Sequence, residues 1–239
     1  MKLIIAGSTG FVGTELVRQA LSLPSITSVV ALSRRTTPVP SSLAPNADLS
    51  KLKSVACEDF GNYSDEVKKE LSNADACIWT IALTPSRYRA VPWDEAVRIC
   101  SGYAVYALET ISKLSDANRP FKFVYFSGSS AVRDPAQKPL ILGDYLVMRG
   151  EAENKVLKYA AGSNGKVEAC ILKPGLITAP GKTNIVVQAL ATVGRALIGL
   201  PKIDVGDLSS ALLSQIVRRE GFEKDTLFSE DMERIAKAA

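Results

Sequence analysis

The sequence predicts an α/β fold, a doubly wound parallel sheet with a small, mostly helical C-terminal annex, and three observations predict it. Short apolar runs alternate with helix-period segments as far as Pro174; the runs are continuously apolar rather than alternating; and a glycine-rich turn joins the first run to the first helical segment. Continuous runs suit strands buried on both faces of a parallel sheet, and strand–helix alternation suits helices covering both faces.

The expected strands are Leu3–Ala6, Ser28–Leu32, Ser54–Ala56, Ala76–Ile81, Phe123–Phe126 and Ala169–Leu172. Between the first two, Phe11, Val12, Leu16, Val17, Ala20 and Leu21 recur at spacings that gather one apolar stripe on a helix. Helical spacing also fits Ser64–Leu71, Trp93–Leu114, Tyr145–Ala160, Asn184–Ile198 and Leu208–Arg219. Residues 36–50 contain Pro38, Pro40 and Pro45 and read as a surface loop. With no linker or repeat, the 239 residues read as one domain, in which residues 1–174 form a core and residues 175–239 a small annex on the substrate side.

Composition narrows the chemistry. Hydrophobic residues make up 46% and charged residues 23%, values of an ordinary globular chain. The formal net charge is only +4 and no block of five like charges occurs, which argues against a nucleic-acid or membrane surface. The absence of histidine removes the Ser-His-Asp triad, the Cys-His dyad and every histidine-ligated metal site, and no metal is expected. Cys57, Cys77, Cys100 and Cys170 lack disulfide or zinc spacing and read as reduced, mostly buried thiols, as in the cytoplasm. The longest apolar stretch, Ile185–Leu200, is interrupted by Gln188 and Arg195 and falls short of a membrane span.

The turn Gly7-Ser8-Thr9-Gly10-Phe11-Val12-Gly13 follows the first strand and opens the first helix. Bare backbone there lets a pyrophosphate approach unpaired N–H groups and the positive end of the helix dipole, which makes it a Rossmann-type dinucleotide site. Twenty residues past Gly13 the second strand ends in Ser33-Arg34-Arg35. An NAD site usually carries an acid at this tip for the ribose 2′-hydroxyl; two arginines welcome a 2′-phosphate, so the expected cofactor is NADP(H).

These motifs resemble the short-chain dehydrogenase/reductase superfamily, and most closely its atypical short members, which include a TIP30-like NADPH-binding group. The resemblance runs over essentially the whole chain: the glycine turn, Asp59-Phe60 after the third strand, Ile78-Trp79-Thr80-Ile81-Ala82 at the fourth, Val124-Tyr125-Phe126-Ser127-Gly128-Ser129-Ser130 at the fifth, Tyr145 to Glu153 on the next helix, and Leu172-Lys173-Pro174-Gly175 at the sixth. It implies that Asp59 and Phe60 contact adenine, and that Thr80, Ile81, Ala82, Pro174, Gly175 and Leu176 border the cofactor. It also implies an active site of Tyr145 as acid/base, Arg149 where the family has lysine, and Ser129 or Ser127 as the substrate-oxygen ligand. Tyr145 and Arg149, four apart, share a helix face. Arginine keeps the charge, which favours the phenolate, but it stays protonated and cannot relay a proton. Glu153, four residues further on, is expected to compete for it, and Lys173 is expected to be solvated or ribose-side. The implied activity is NADPH-dependent reduction of a carbonyl or activated alkene in a small molecule, with a redox-neutral isomerase or cyclase, or a cofactor-sensing interaction protein, as alternatives. The sequence does not indicate an oligomeric state.

Overall fold

The computed structural model describes residues 1–115, 119–179 and 201–238. Its main sheet has seven strands: β1 (Lys2–Ala6), β2 (Ser28–Ser33), β3 (Leu52–Ala56), β4 (Ala76–Trp79), β5 (Phe121–Phe126), β6 (Val167–Lys173) and β9 (Thr226–Phe228). Their order is β3-β2-β1-β4-β5-β6-β9 and every pairing is parallel. From β1 the chain runs outward first through β2 and β3, then returns to add β4 on the other side. The crevice at the C-terminal ends of β1 and β4 is therefore the topological switch point, where open parallel sheets hold their ligands.

Alternate residues of each strand feed two cores, which is why the runs are apolar throughout. Ile4, Ala6, Val30, Leu32, Cys77, Trp79, Phe123 and Tyr125 pack with α2 (Asp65–Leu71), α4 (Tyr103–Lys113) and α5 (Gly143–Ala161). Leu3, Ile5, Val29, Ala31, Ile78, Val124 and Leu172 pack on the opposite face with α1 (Phe11–Ala20), α6 (Val205–Val217) and α7 (Ser229–Ala238). Each such side chain contributes about 1.5–3 kcal/mol on full burial, so the cores hold the strand ends in register and with them the loops that emerge there.

Two expectations change. The segment expected as one helix from Trp93 to Leu114 is α3 (Trp93–Val97), a π-helical turn (Arg98–Gly102) and then α4. The wide turn leaves the Cys100 carbonyl to accept from the buried Tyr125 hydroxyl at 2.6 Å. The fourth strand stops at Trp79, because Thr80 turns to donate its hydroxyl to the Ala6 carbonyl at 2.7 Å. The described part of the annex is mostly helical, as expected, and adds short strands the sequence reading did not include: β7 (Leu176–Thr178) pairs with β8 (Lys202–Asp204), and β9 joins the main sheet beside β6. At three residues each, these strands are too short for a periodicity reading. The expected helix Asn184–Ile198 lies outside the described residues.

Gly150 fixes how closely α5 approaches the chain leaving β5: a Cβ there would stand 1.8 Å from the Val132 carbonyl oxygen. Glycine-to-alanine in a helix normally stabilises by up to about 1 kcal/mol. Gly102→Ala, whose Cβ would meet only Arg98 Cγ at 3.8 Å, is expected to show that gain. Gly150→Ala is expected to reverse the sign and destabilise by about 1–3 kcal/mol, with chemical denaturation of both variants as the measurement.

Candidate active site

Gly7 leaves β1 with φ +87°, a conformation that suits glycine. Its N–H donates to the Leu32 carbonyl at 2.9 Å, and a Cβ would lie 2.3 Å from Thr80 Oγ1, so the ends of β1, β2 and β4 meet at this residue. Gly13 is as constrained, since its Cβ would stand 2.2 Å from the Gly7 carbonyl oxygen. Gly10 is different. Its backbone is extended, and the nearest atom to an added Cβ would be Gly7 O at 3.1 Å, with open space otherwise. The chain's own packing makes little demand for glycine there; an approaching ligand would. α1 has no side-chain cap and no acid in its first turn, whereas α2 is capped by Ser64 and carries Asp65 and Glu66. The first-turn N–H groups of α1 thus have no capping side chain, and the turn fits a pyrophosphate. Thr9, Gly10 and Phe11 are exposed beside it. The Ser8 hydroxyl turns inward to Thr37 Oγ1 at 2.6 Å, leaving Ser8 only its backbone to offer.

Past β2, Ser33 donates to the Arg35 carbonyl and the Thr37 N–H donates to Ser54 Oγ at 2.8 Å, which fixes the turn's backbone. Arg34 and Arg35 are exposed there, and neither has an acidic partner among the described residues. Asp59 is exposed and accepts from the Gly61 N–H at 2.8 Å. The Phe60 ring is buried edge-on to Trp79 and Tyr103, at 5.8 and 5.9 Å between centroids, so its aromatic surface is spent on the core.

A cavity of about 420 Å³ opens where the chain leaves β4, β5 and β6. Its wall brings together Thr80 and Ala82, Ser127 and Ser129, Tyr145 and Arg149, and Pro174, Gly175 and Leu176. Thr80 belongs both to this wall and to the contact with Gly7, so cavity and glycine turn are continuous; Ile81 packs behind the wall against the core.

Tyr145 and Arg149 lie on the buried face of α5, as their spacing requires. The Tyr145 hydroxyl donates to the Leu83 carbonyl at 2.8 Å and its ring stacks at 4.9 Å on Tyr88. Burial pushes this phenol up to about 12, and the opposing pull of Arg149 is the smaller effect. The expected lowering by the cation is therefore outweighed, and the resting group is a protonated acid. Arg149 is buried; Nη2 donates to the Phe126 carbonyl, the guanidinium carbon sits 5.0 Å from the Tyr125 ring centroid, and Nη1 has no hydrogen-bond partner.

Glu153 does not pair with Arg149, contrary to expectation. It is fully buried and accepts from Arg133 Nε at 2.7 Å, from Ser127 Oγ at 2.5 Å, and from Lys173, whose Nζ lies 3.1 Å away. Lys173 is correspondingly not solvated: it is buried and also donates to the Ala131 carbonyl at 2.7 Å. This separates the two serine candidates. Ser127 is committed to Glu153, while the Ser129 hydroxyl makes no hydrogen bond among the described residues and its N–H is anchored on the Pro174 carbonyl at 3.0 Å. Sequence reasoning missed Arg133, the Leu83 carbonyl and Cys100, whose sulfur accepts from the Leu83 N–H at 3.3 Å. A legible hint was the charge of Glu153 on the apolar stripe of α5.

No family model matches the chain. Among curated proteins it is 26% identical over 221 residues to "Protein FMP52, mitochondrial" of Candida albicans, covering 89% of this chain and 86% of that one. It is 31% identical over 132 residues to "Leucinostatins biosynthesis cluster protein T" of Purpureocillium lilacinum, a match covering 53% of this chain and 42% of the relative. Among solved structures, MoeE5 in complex with UDP-glucuronic acid and NAD superposes with a TM-score of 0.69 at 20% identity, covering 96% of this chain and 76% of that one. Vestitone reductase from alfalfa (Medicago sativa) gives 0.66 at 19% identity, covering 92% and 74%. These likenesses establish the fold, a Rossmann-type α/β sheet of the kind that in MoeE5 holds NAD. No helix among the described residues is long and apolar enough to cross a membrane.

The Glu153 cluster gives a testable figure. Glu153→Gln keeps the shape and removes the charge that compensates Lys173 and Arg133, and breaking a buried pair in this way is expected to cost about 3 kcal/mol. Urea unfolding measures it; a loss below about 1 kcal/mol would mean that the cations are solvated after all.

Proposed function

We propose that this chain is an NADP(H)-dependent oxidoreductase that reduces a carbonyl or activated alkene of a small organic molecule, working in a reducing, cytosol-like compartment. The observation that carries the reading is the convergence on one cavity of a protonated phenol, a buried cation and an uncommitted hydroxyl: Tyr145, Arg149 and Ser129. The glycine turn, continuous with this cavity through Thr80, supports a dinucleotide at the switch point, and the bare Arg34 and Arg35 support a 2′-phosphate. The resemblance to short-chain dehydrogenases/reductases, TIP30-like members included, points the same way.

When bound, the nicotinamide cofactor supplies a hydride equivalent to the substrate carbon; the remaining work belongs to the chain. Ser129 holds the substrate oxygen through its free hydroxyl. Tyr145 exchanges the Leu83 carbonyl for that oxygen and donates its proton as negative charge develops there. Arg149 compensates the phenolate so formed, and because a guanidinium keeps its proton, Tyr145 is reprotonated from solvent rather than through Arg149. A resting phenol near 12 suits this direction. Redox-neutral chemistry that begins by oxidising an alcohol would need the phenolate first, which burial disfavours.

NADPH is expected to bind at least about tenfold more tightly than NADH, through charge-assisted contacts to the 2′-phosphate. Fluorescence titration of both cofactors checks this, and Arg34→Ala/Arg35→Ala is expected to equalise them; equal affinities in the unmodified protein would remove the 2′-phosphate site.

Tyr145→Phe is expected to leave cofactor affinity intact and cut turnover by about 100-fold or more. The pH profile carries a sign. Reduction uses the protonated phenol and should stay flat across neutral pH, whereas the reverse oxidation uses the phenolate and should rise about tenfold per pH unit towards the phenol's pKa. Steady-state rates in both directions decide it, and a reverse rate independent of pH would assign the proton transfer elsewhere.

A further inference from the structure

A second cavity, of about 760 Å³, lies between α4 and α5, flanked by Lys166 just before β6 and so at the sheet edge opposite the glycine turn. Among the described residues its rim carries Lys113, Lys155, Lys158 and Lys166 against a single acid, Glu109. The described lining thus gathers three net positive charges at one concavity. All four lysines are exposed, and none has a salt-bridge partner among the described residues; the one hydrogen bond from their ammonium groups is a long one, Lys155 Nζ to Ser101 Oγ at 3.5 Å. The lining adds hydroxyls: Ser112 and Tyr159 hydrogen-bond to each other at 3.0 Å, and Ser163 stands nearby.

We propose that this groove binds a compact polyanion, a chain of two or three phosphates. Like charges on flexible stems repel unless an anion lies between them, and ammonium groups ringing a hydroxyl-lined hollow supply charge and hydrogen-bond donors together. The shape selects against other occupants. A flat membrane surface cannot enter a concavity; a nucleic-acid strand would call for arginines and exposed aromatic platforms, which this lining lacks. A second copy docked by two-fold symmetry would set four lysines against four.

Isothermal titration calorimetry at low salt, with inorganic tripolyphosphate and with ATP as probes, tests the proposal. Because the glycine turn could also take phosphate, each probe is titrated against Gly10→Val as well as Lys155→Gln/Lys158→Gln, with the remote surface variant Lys237→Gln as control. The expected result is one site for tripolyphosphate, weakened at least about tenfold by the lysine pair, unchanged by Gly10→Val and Lys237→Gln, and weakened by added salt as the screening length shortens. Equal binding of ATP assigns the phosphate chain to a nucleotide, and binding of tripolyphosphate alone assigns it to an inorganic source; either supports the groove. Binding lost only in Gly10→Val, no binding of either probe, or binding of a hexaglutamate peptide while both phosphates fail would each overturn it.

Discussion

The buried carboxylate of Glu153 is the contact on which the arrangement of the candidate site depends. From the middle of α5 it reaches Ser127 at the end of β5, Lys173 at the end of β6 and Arg133 in the connecting loop, and Arg133 extends the tie to Thr226 on β9 through Nη2 at 2.8 Å. A lone carboxylate would be costly to bury; here two cations and a hydroxyl compensate it. The geometric consequence is larger than the energetic one. Arg149 and Tyr145 sit one and two turns before Glu153 on the same face, so pinning Glu153 sets their height over the sheet, and Gly150 lets the helix close to backbone contact with the loop that presents Ser129.

Electrostatics then divides the labour among residues that look alike in sequence. Of two cations near the cavity, Lys173 is paired with Glu153, whereas Arg149 has no acidic partner among the described residues and faces a carbonyl and an aromatic ring. Of two serines, Ser127 is held by Glu153 and Ser129 is free. The unpaired charge at the cavity is therefore that of Arg149, and the hydroxyls beside it include those of Ser129 and of Tyr145, which is held by the Leu83 carbonyl. An arginine suits this buried place with a fixed carbonyl partner, since its planar fork can spend one nitrogen on structure and keep the other uncommitted.

The legible parts of this site were those encoded within a few residues. The glycine turn, the arginine pair at the tip of β2 and the four-residue step from Tyr145 to Arg149 each depend on local geometry, and the strands follow from their apolar runs. What escaped depends on contacts distant in sequence. Ser127 meets Glu153 across 26 residues, and Arg133 meets Thr226 across 93. The π-turn at Cys100 departs from the helical period by one residue, which no apolar stripe records, and β9 is too short to alternate. The lysines around the second cavity come from α4, α5 and the loop before β6, so an evenly spread charge in the sequence becomes a patch only in the folded chain.

The central claim is that the cavity beneath Tyr145 is where reducing equivalents reach a substrate. The most direct measurement incubates the protein with NADPH deuterated at C4 of the nicotinamide and a panel of carbonyl compounds and activated alkenes, and follows the label by mass spectrometry. The account predicts deuterium at the reduced carbon of a product, at a rate that Ser129→Ala lowers. A converted substrate whose product carries no deuterium, with the label retained on the cofactor, would contradict it.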